Sequence, residues 1–404
     1  MLDRFLRELK EWNQNGKEPQ DANIDVRYDL DQREKRVKAA GLSVEEEFAP
    51  VKDEIRGVLA RRGTVYSTNV VYKETRHTVH YEKDGKTLYN SVKPENIYVS
   101  VINRNTDHTE DFPYTCPNCG HLTMAGKLQE GCPYCGTRFE LTDLYPKING
   151  YYTVPGIVER ANLMDNIKRR CLIAGIVCGI AGFLMMFVTH SDYQLWFRIV
   201  ASLFFFGLVG GMGALMAYFA QSLGLLGKVV YEAGRSVPLL SGLGSKKKMT
   251  EFMKAYDPDF SFELFEGKVI AKLRAIAFAD SRKDLTVWEG SEDLSMFDNL
   301  VDMRYRGSLD VRKIERRNHK IEATVKAYVT DLYYTGRIKA KDETIYATLE
   351  IDEDALEDPG FSVHAVTCRS CGASFDAMHR KTCPSCGNAY KLIHEDWVVT
   401  SVHK

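Results

Sequence analysis

Two stretches of the chain carry no charged residue, 172–189 (LIAGIVCGIAGFLMMFVT) and 199–220. At a rise of about 1.5 Å per residue, each can cross, or nearly cross, a hydrocarbon core of about 30 Å. The short link between them, HSDYQLWFR, holds Tyr193 and Trp196, which suit a membrane–water interface. This pattern predicts a transmembrane helical hairpin over 171–220.

Outside the hairpin the apolar period is that of soluble structure. Leu2, Phe5, Leu6 and Leu9 share one face of a short amphipathic helix. Ser43-Val-Glu-Glu46 reads as a capping box that opens a helix to about residue 60. Residues 70–81 and 96–103, rich in β-branched and aromatic side chains, predict strands, with Asp84-Gly85 as a turn. After the hairpin, 221–249 is moderately apolar and ends in Lys246-Lys247-Lys248, which predicts a linker near the bilayer. Ser261 is a plausible N-cap for a helix whose apolar face is Phe262, Phe265, Val269, Leu273 and Ile276. A short helix is expected over about 292–304. From about 311 the period becomes two: Ile321, Ala323, Val325, Ala327 and Val329 alternate with polar neighbours. Gly336 and 341–343 read as turns, and 344–351, 361–366 and 397–402 as further strands. Helices followed by consecutive strands indicate an α+β fold with antiparallel sheets.

Composition narrows the class. The 404 residues hold 54 Lys plus Arg against 55 Asp plus Glu. That balance argues against a nucleic-acid binder. The first residues are too charged for a secretory signal peptide. Arg160, Lys168, Arg169 and Arg170 precede the first span; Lys228, Arg235 and Lys246 to Lys248 follow the second; the link has only Arg198. The positive-inside rule then predicts a two-pass protein of the plasma membrane with both termini cytoplasmic. Neither span contains an ionisable residue, so nothing supports a transport path. Gly175 with Gly179, and Gly207 with Gly211, form GxxxG pairs that allow close helix contact within the hairpin or a homodimer.

Eight of the ten cysteines form two matching clusters, one on each side of the hairpin. Cys116 and Cys119 are followed by Cys132 and Cys135; Cys368 and Cys371 are followed by Cys383 and Cys386. Twelve residues separate the CxxC pairs in the first cluster and eleven in the second. Four thiolates at this spacing can close a tetrahedron around one metal ion, so two zinc ribbons are expected, at 116–136 and 368–387. A closed four-sulfur shell leaves no position for water or substrate, which favours structural metal. The same knuckles resemble the short rubredoxin-like domain of rubrerythrins, so iron and electron transfer form the alternative. His121 and His379 fall inside the clusters and read as exposed loop residues. No Gly-rich phosphate loop, GxSxG or HExxH motif is present.

The segment Asp257-Pro-Asp-Phe-Ser261 opening an apolar helix, the long alternating strand after Val311, and Asp396-Trp-Val-Val-Thr-Ser-Val402 resemble the Tim-44-like domain. That domain belongs to a subunit of the mitochondrial import motor and has bacterial relatives. The resemblance covers roughly 250–404, interrupted by the second cysteine cluster. It implies a curved antiparallel sheet with helices on its concave side, cystatin-like or nuclear-transport-factor-2-like. It also implies tethering at a membrane, with a protein partner and the lipid bilayer, rather than catalysis. The concave face is then the candidate pocket, and Phe262, Phe265, Trp288 and Trp397 either line it or, as the favoured reading for each one, pack in the core. A pocket-containing enzyme of the same fold is the other alternative, with Asp280 and Arg282 or Asp331 and Tyr333 as its acid and base. The expected organisation is an N-terminal α+β domain (1–150), a basic segment (151–170), the hairpin (171–220), a linker (221–249) and a C-terminal α+β domain (250–404). The parallel between Cys132-Pro-Tyr-Cys-Gly and Cys383-Pro-Ser-Cys-Gly raises the idea that the first domain is a diverged copy of the last.

Overall fold

The structure, a computed structural model, describes residues 1–62, 66–104, 113–116, 119–124, 127, 131–136, 146–155, 160–189, 191–355, 363–364 and 366–404. Two compact units emerge. One joins Met1–Gly156 with Pro238–Lys404, and the other is Ile157–Val237.

The joined unit is α+β and contains two four-stranded antiparallel sheets. Its N-terminal half starts with helices α1 (Leu2–Asn15) and α2 (Ile24–Ala39). Strands β1 (Ser43–Arg62), β2 (Tyr66–Lys83) and β3 (Lys86–Arg104) form a meander. Short strands β4 (Pro113–Thr115) and β5 (Leu122–Met124) accompany the first cysteine cluster. Strand β6 (Lys147–Pro155) then pairs with β3. The buried face of α1, which is Leu2, Phe5, Leu6, Leu9 and Trp12, packs with Phe48, Ile97, Val99 and Ile148 of this sheet. Asp84 and Gly85, both at positive φ (50° and 75°), make the tight β2–β3 turn.

The C-terminal half repeats that order. Helix α5 (Phe262–Phe278) precedes the meander β7 (Leu300–Arg317), β8 (Lys320–Tyr334) and β9 (Ile338–Asp352). Strands β10 (Val366–Thr367) and β11 (Ser374–Phe375) frame the second cluster, and β12 (Val398–His403) returns to pair with β9. The orders β1-β2-β3-β6 and β7-β8-β9-β12 are the same, with a cysteine cluster inserted between the third and fourth strand each time. The Ser261 hydroxyl caps α5 by accepting the Leu264 N–H at 3.4 Å. Phe265 and Trp397, 5.1 Å apart edge to face, are fully buried where the helix meets the last strand. Phe262 and Trp288 also lie in this core, so all four aromatics pack inside, as favoured for each, rather than line an open face.

Several local expectations yield to tertiary pairing. Residues 43–60 are strand, not helix: β1 runs beside β2 from Ser43 opposite Glu82 to Arg62 opposite Ser67. Pro50 would break a helix there, whereas it costs little at a register shift of this edge strand between Pro50 and Ile55. The segment 292–304 keeps only a 3₁₀ turn, Ser295–Phe297, because the chain joins the sheet at Leu300. Residues 341–343 continue β9 rather than turning, and their charges are matched by Thr330, Lys341 to Glu343, and Lys404. Of the strand expected over 361–366, residues 361, 362 and 365 lie outside the described residues. The proposed linker 221–249 is helical. It forms part of α4 (Leu195–Met253), whose end sinks Met249 and Met253 into the C-terminal core.

In the second unit, α3 (Arg160–Thr189) and the start of α4 supply two helices long and apolar enough to cross a membrane, over Ile167–Thr189 and Leu195–Leu223. A Cβ on Gly175 would sit 3.1 Å from the Gly210 carbonyl oxygen, and one on Gly213 only 2.6 Å from Cys178 Sγ. Gly175 and Gly179 thus face α4, while Gly207 and Gly211 have open space beside them. Arg198 donates to the Phe187 carbonyl at the end of α3 and stacks on its ring at 4.2 Å.

Candidate metal centres and a buried ionic joint

Each cysteine knuckle is a tight turn closed by a glycine. The Gly120, Gly136, Gly372 and Gly387 N–H groups donate to the carbonyls of Cys116, Cys132, Cys368 and Cys383 at 2.8–2.9 Å. All four glycines sit at φ between 72° and 75°, where a side chain would strain the backbone. Cys116, Cys368 and Cys383 also donate their N–H to the carbonyl five residues on, namely His121, Ala373 and Asn388.

These turns gather the thiols. Cys116 Sγ lies 3.7 Å from Cys135 Sγ, and Cys119 Sγ 3.7 Å from Cys132 Sγ. In the second cluster the spacings are 3.7 Å for Cys368 with Cys386 and 3.8 Å for Cys371 with Cys383. A tetrahedral ion with metal–sulfur bonds of about 2.3 Å places its sulfurs about 3.8 Å apart. All eight predicted ligands therefore form two groups that could each hold a metal ion.

The charges agree. Backbone N–H groups of Cys371 and Ser370 lower the Cys368 thiol to about 6, and those of Cys135 and Cys386 lower Cys132 and Cys383. Cys119 also accepts an N–H, from His121, yet burial and the sulfurs crowded around it push it up to about 12. Four thiols this close ionise together only around a cation. His121 is exposed and stacks on Tyr134 at 5.5 Å, outside the shell.

The two clusters differ in their surroundings. Cys368 and Cys383 belong to the main C-terminal core, with Val366, Phe375, Ala377 and Met378. Among the described residues, the buried cluster around Cys116 and Cys132 contains only the four cysteines.

A second polar centre was not expected from the sequence. Arg33 of α2 donates to Glu46 of β1 at 2.6 Å and pairs with Asp302 of β7 at 3.0 Å. His77 of β2 lies between Glu46 (Nε2, 2.7 Å) and Glu95 (Nδ1, 2.7 Å) and stacks on Phe48 at 4.1 Å. Arg304 reaches Asp302 at 2.8 Å and Arg306 reaches Glu95 at 3.3 Å. Both ring nitrogens of His77 meet carboxylates, an arrangement that favours the doubly protonated ring. Burial alone would lower the His77 pKa, but Glu46 and Glu95 raise it. Glu95 falls to about 2 despite burial, because His77 and Arg306 face it. A partly open cavity of about 40 Å³ lies beside Asp29, Arg33, Glu46, His77, Asp302 and Arg304. That is room for about two or three waters and far less than an organic ligand needs.

Of the two suggested acid–base pairs, the structure separates Asp280 from Arg282 and brings Asp331 and Tyr333 together. Asp280 is exposed and pairs with Arg36, while Arg282 binds Asp298. Tyr333 does donate to Asp331 at 3.2 Å, but Asp331 is fully buried and also holds Lys404 at 2.7 Å; burial raises its pKa to about 7.

Compared with protein-family models, curated proteins and solved structures, the chain matches none.

Proposed function

We propose that this chain is a membrane-anchored, non-enzymatic interaction protein whose two soluble halves form one cytoplasmic platform held by two structural zinc ions. The observation that carries the reading is the union of Met1–Gly156 with Pro238–Lys404 in one folded unit, although the apolar hairpin separates them in sequence. Halves that share a buried ionic joint must lie on the same side of a bilayer. An even number of crossings, here two, meets that requirement. The basic residues flanking the spans make that side the cytoplasm. Reduced, metal-bound cysteines suit the same compartment.

The closed sulfur shells favour a structural ion over a reacting one, and zinc over iron, since no further redox site appears among the described residues. The platform reading keeps the Tim-44-like expectation for the C-terminal half: α5 packed on the sheet β7-β8-β9-β12, near a membrane, serving a protein partner. A test combines two measurements on the full chain. Elemental analysis should give two zinc ions per chain. Cysteine labelling in intact cells should reach a residue introduced in the link 191–194, but reach tags at both termini only after permeabilisation. Stoichiometric iron with a red protein, or termini labelled from outside, overturns the reading.

A further inference from the structure

We propose that metal at the second cysteine site controls how the N-terminal half docks, because the loop between that site's knuckles holds the first turns of α2. This rests on the metal reading above.

The loop is shaped by its two ends. Cys371 and Cys383 are ligand positions of one cluster, and the residues between them fold back against the C-terminal core. Ala377 and Met378 are buried. The Met378 carbonyl accepts the Thr286 N–H at 2.9 Å, the Ala377 carbonyl accepts the Thr286 hydroxyl, and the Ala377 N–H donates to Val363 at 2.8 Å. This arrangement presents His379 to the other half and holds His364, which precedes the first knuckle, through Asp376 at 3.1 Å. The ring of Tyr28, on α2, lies 4.3 Å from the ring of His364, and its hydroxyl is 3.0 Å from His379 Nε2. One turn earlier, the charges of Lys272, His364 and Lys268 act on Asp25 against that of Asp396, which the two lysines hold at 2.6 and 3.2 Å.

The later turns of α2 are held differently. Arg33 enters the ionic joint, and Arg36 donates to the carbonyls of Phe297, Asp298 and Leu300 at 2.7–3.1 Å. The first turns also pack Val26 and Leu30 in the N-terminal core and pair Asp29 with Arg274 at 3.7 Å, so the part of their hold that depends on the cysteine loop is the contact of Tyr28 with the two histidines. Losing the ion removes the constraint that closes the loop, so His364 and His379 lose their fixed positions. The first cluster has no such link among the described residues, which makes it the internal control.

The test is hydrogen exchange on the full chain in lipid nanodiscs, read with zinc content. Cys371→Ser should lower zinc from two ions to one and speed exchange in residues 26–30 about tenfold, with little change around Arg36. Cys119→Ser should also remove one ion but leave α2 protected. Coupling is reciprocal, so Tyr28→Ala should keep both ions yet speed zinc loss to a chelator from the second site alone by a similar factor. That arm decides the matter if Cys371→Ser fails to fold. Unchanged protection of 26–30 after zinc loss, equal loosening in Cys119→Ser, or unaltered zinc release in Tyr28→Ala overturns the proposal. A wild-type chain that binds no metal overturns both this and the metal reading; two bound ions with an insensitive α2 overturns only this one.

Discussion

The two cysteine clusters are nearly the same object chemically and different objects mechanically. Both gather four sulfurs at 3.7–3.8 Å on glycine-closed turns, and both sit between the third and fourth strand of a four-stranded sheet. The second, however, packs Phe375, Ala377 and Met378 into the C-terminal core and reaches across to α2. The first groups with no buried apolar residue among the described residues beyond its own cysteines. A ligand set therefore says what a site can bind. What the site supports depends on the side chains between the ligands.

The comparison breaks most directly by removing one sulfur from each cluster. Cys383→Ser should cost more than about 4 kcal/mol, the range of a lost metal site in a core, while Cys116→Ser should leave the main thermal transition within about 0.5 kcal/mol. Equal shifts would mean that the first cluster also carries the fold. A comparable effect is expected at the ionic joint, which binds the halves without metal. Arg33→Met leaves Glu46 and Asp302 buried with one cation fewer, and should cost about 3–5 kcal/mol in denaturant unfolding with both zinc ions retained. Zinc loss in that variant would show that joint and cluster are not separable. The smallest effect is a pH dependence. The folded-state pKa of Glu95 is depressed, so its contribution is full above the ordinary value of 4.5 and fades as pH falls toward about 2. For His77 the shift is upward, so its contribution is full below the ordinary value of 6.5 and fades as pH rises through its raised value. Glu95→Gln should flatten the acid limb of a stability–pH curve. An unchanged acid limb would remove Glu95 from the joint's energetics.

Much of this architecture is legible in the residues, for identifiable reasons. The spans, the strands β2 and β8, the cap at Ser261 and the eight thiols are set by patterns within a few residues of each other. Where the reading fails, a distant partner decides. The capping box at Ser43 competes with an eighteen-residue β2 alongside it, and Pro50 tips the balance. Helix α2 is hard to see because its inward face carries Arg27, Asp29 and Arg33 as well as Val26, Leu30 and Val37. Its apolar stripe is too thin to mark a buried helix, since charges from β1 and β7 satisfy it instead. The strand order repeats around the two clusters, a condition that diverged copies must meet, while the CPxCG parallel is one that any two zinc ribbons share.

By itself, the sequence determined the local chemistry: uncharged lengths that suit a bilayer, thiols spaced for a metal, and glycines where the turns need positive φ. Only the tertiary structure decided that the two halves are one body, that Phe262, Phe265, Trp288 and Trp397 fill a core, and that the second cluster joins that core while the first, among the described residues, does not. The reason is range. Metal knuckles and helix caps are stabilised by neighbours along the chain. The joint of Arg33, Glu46, His77 and Asp302 forms only when residues up to 269 positions apart exclude water together, here Arg33 and Asp302.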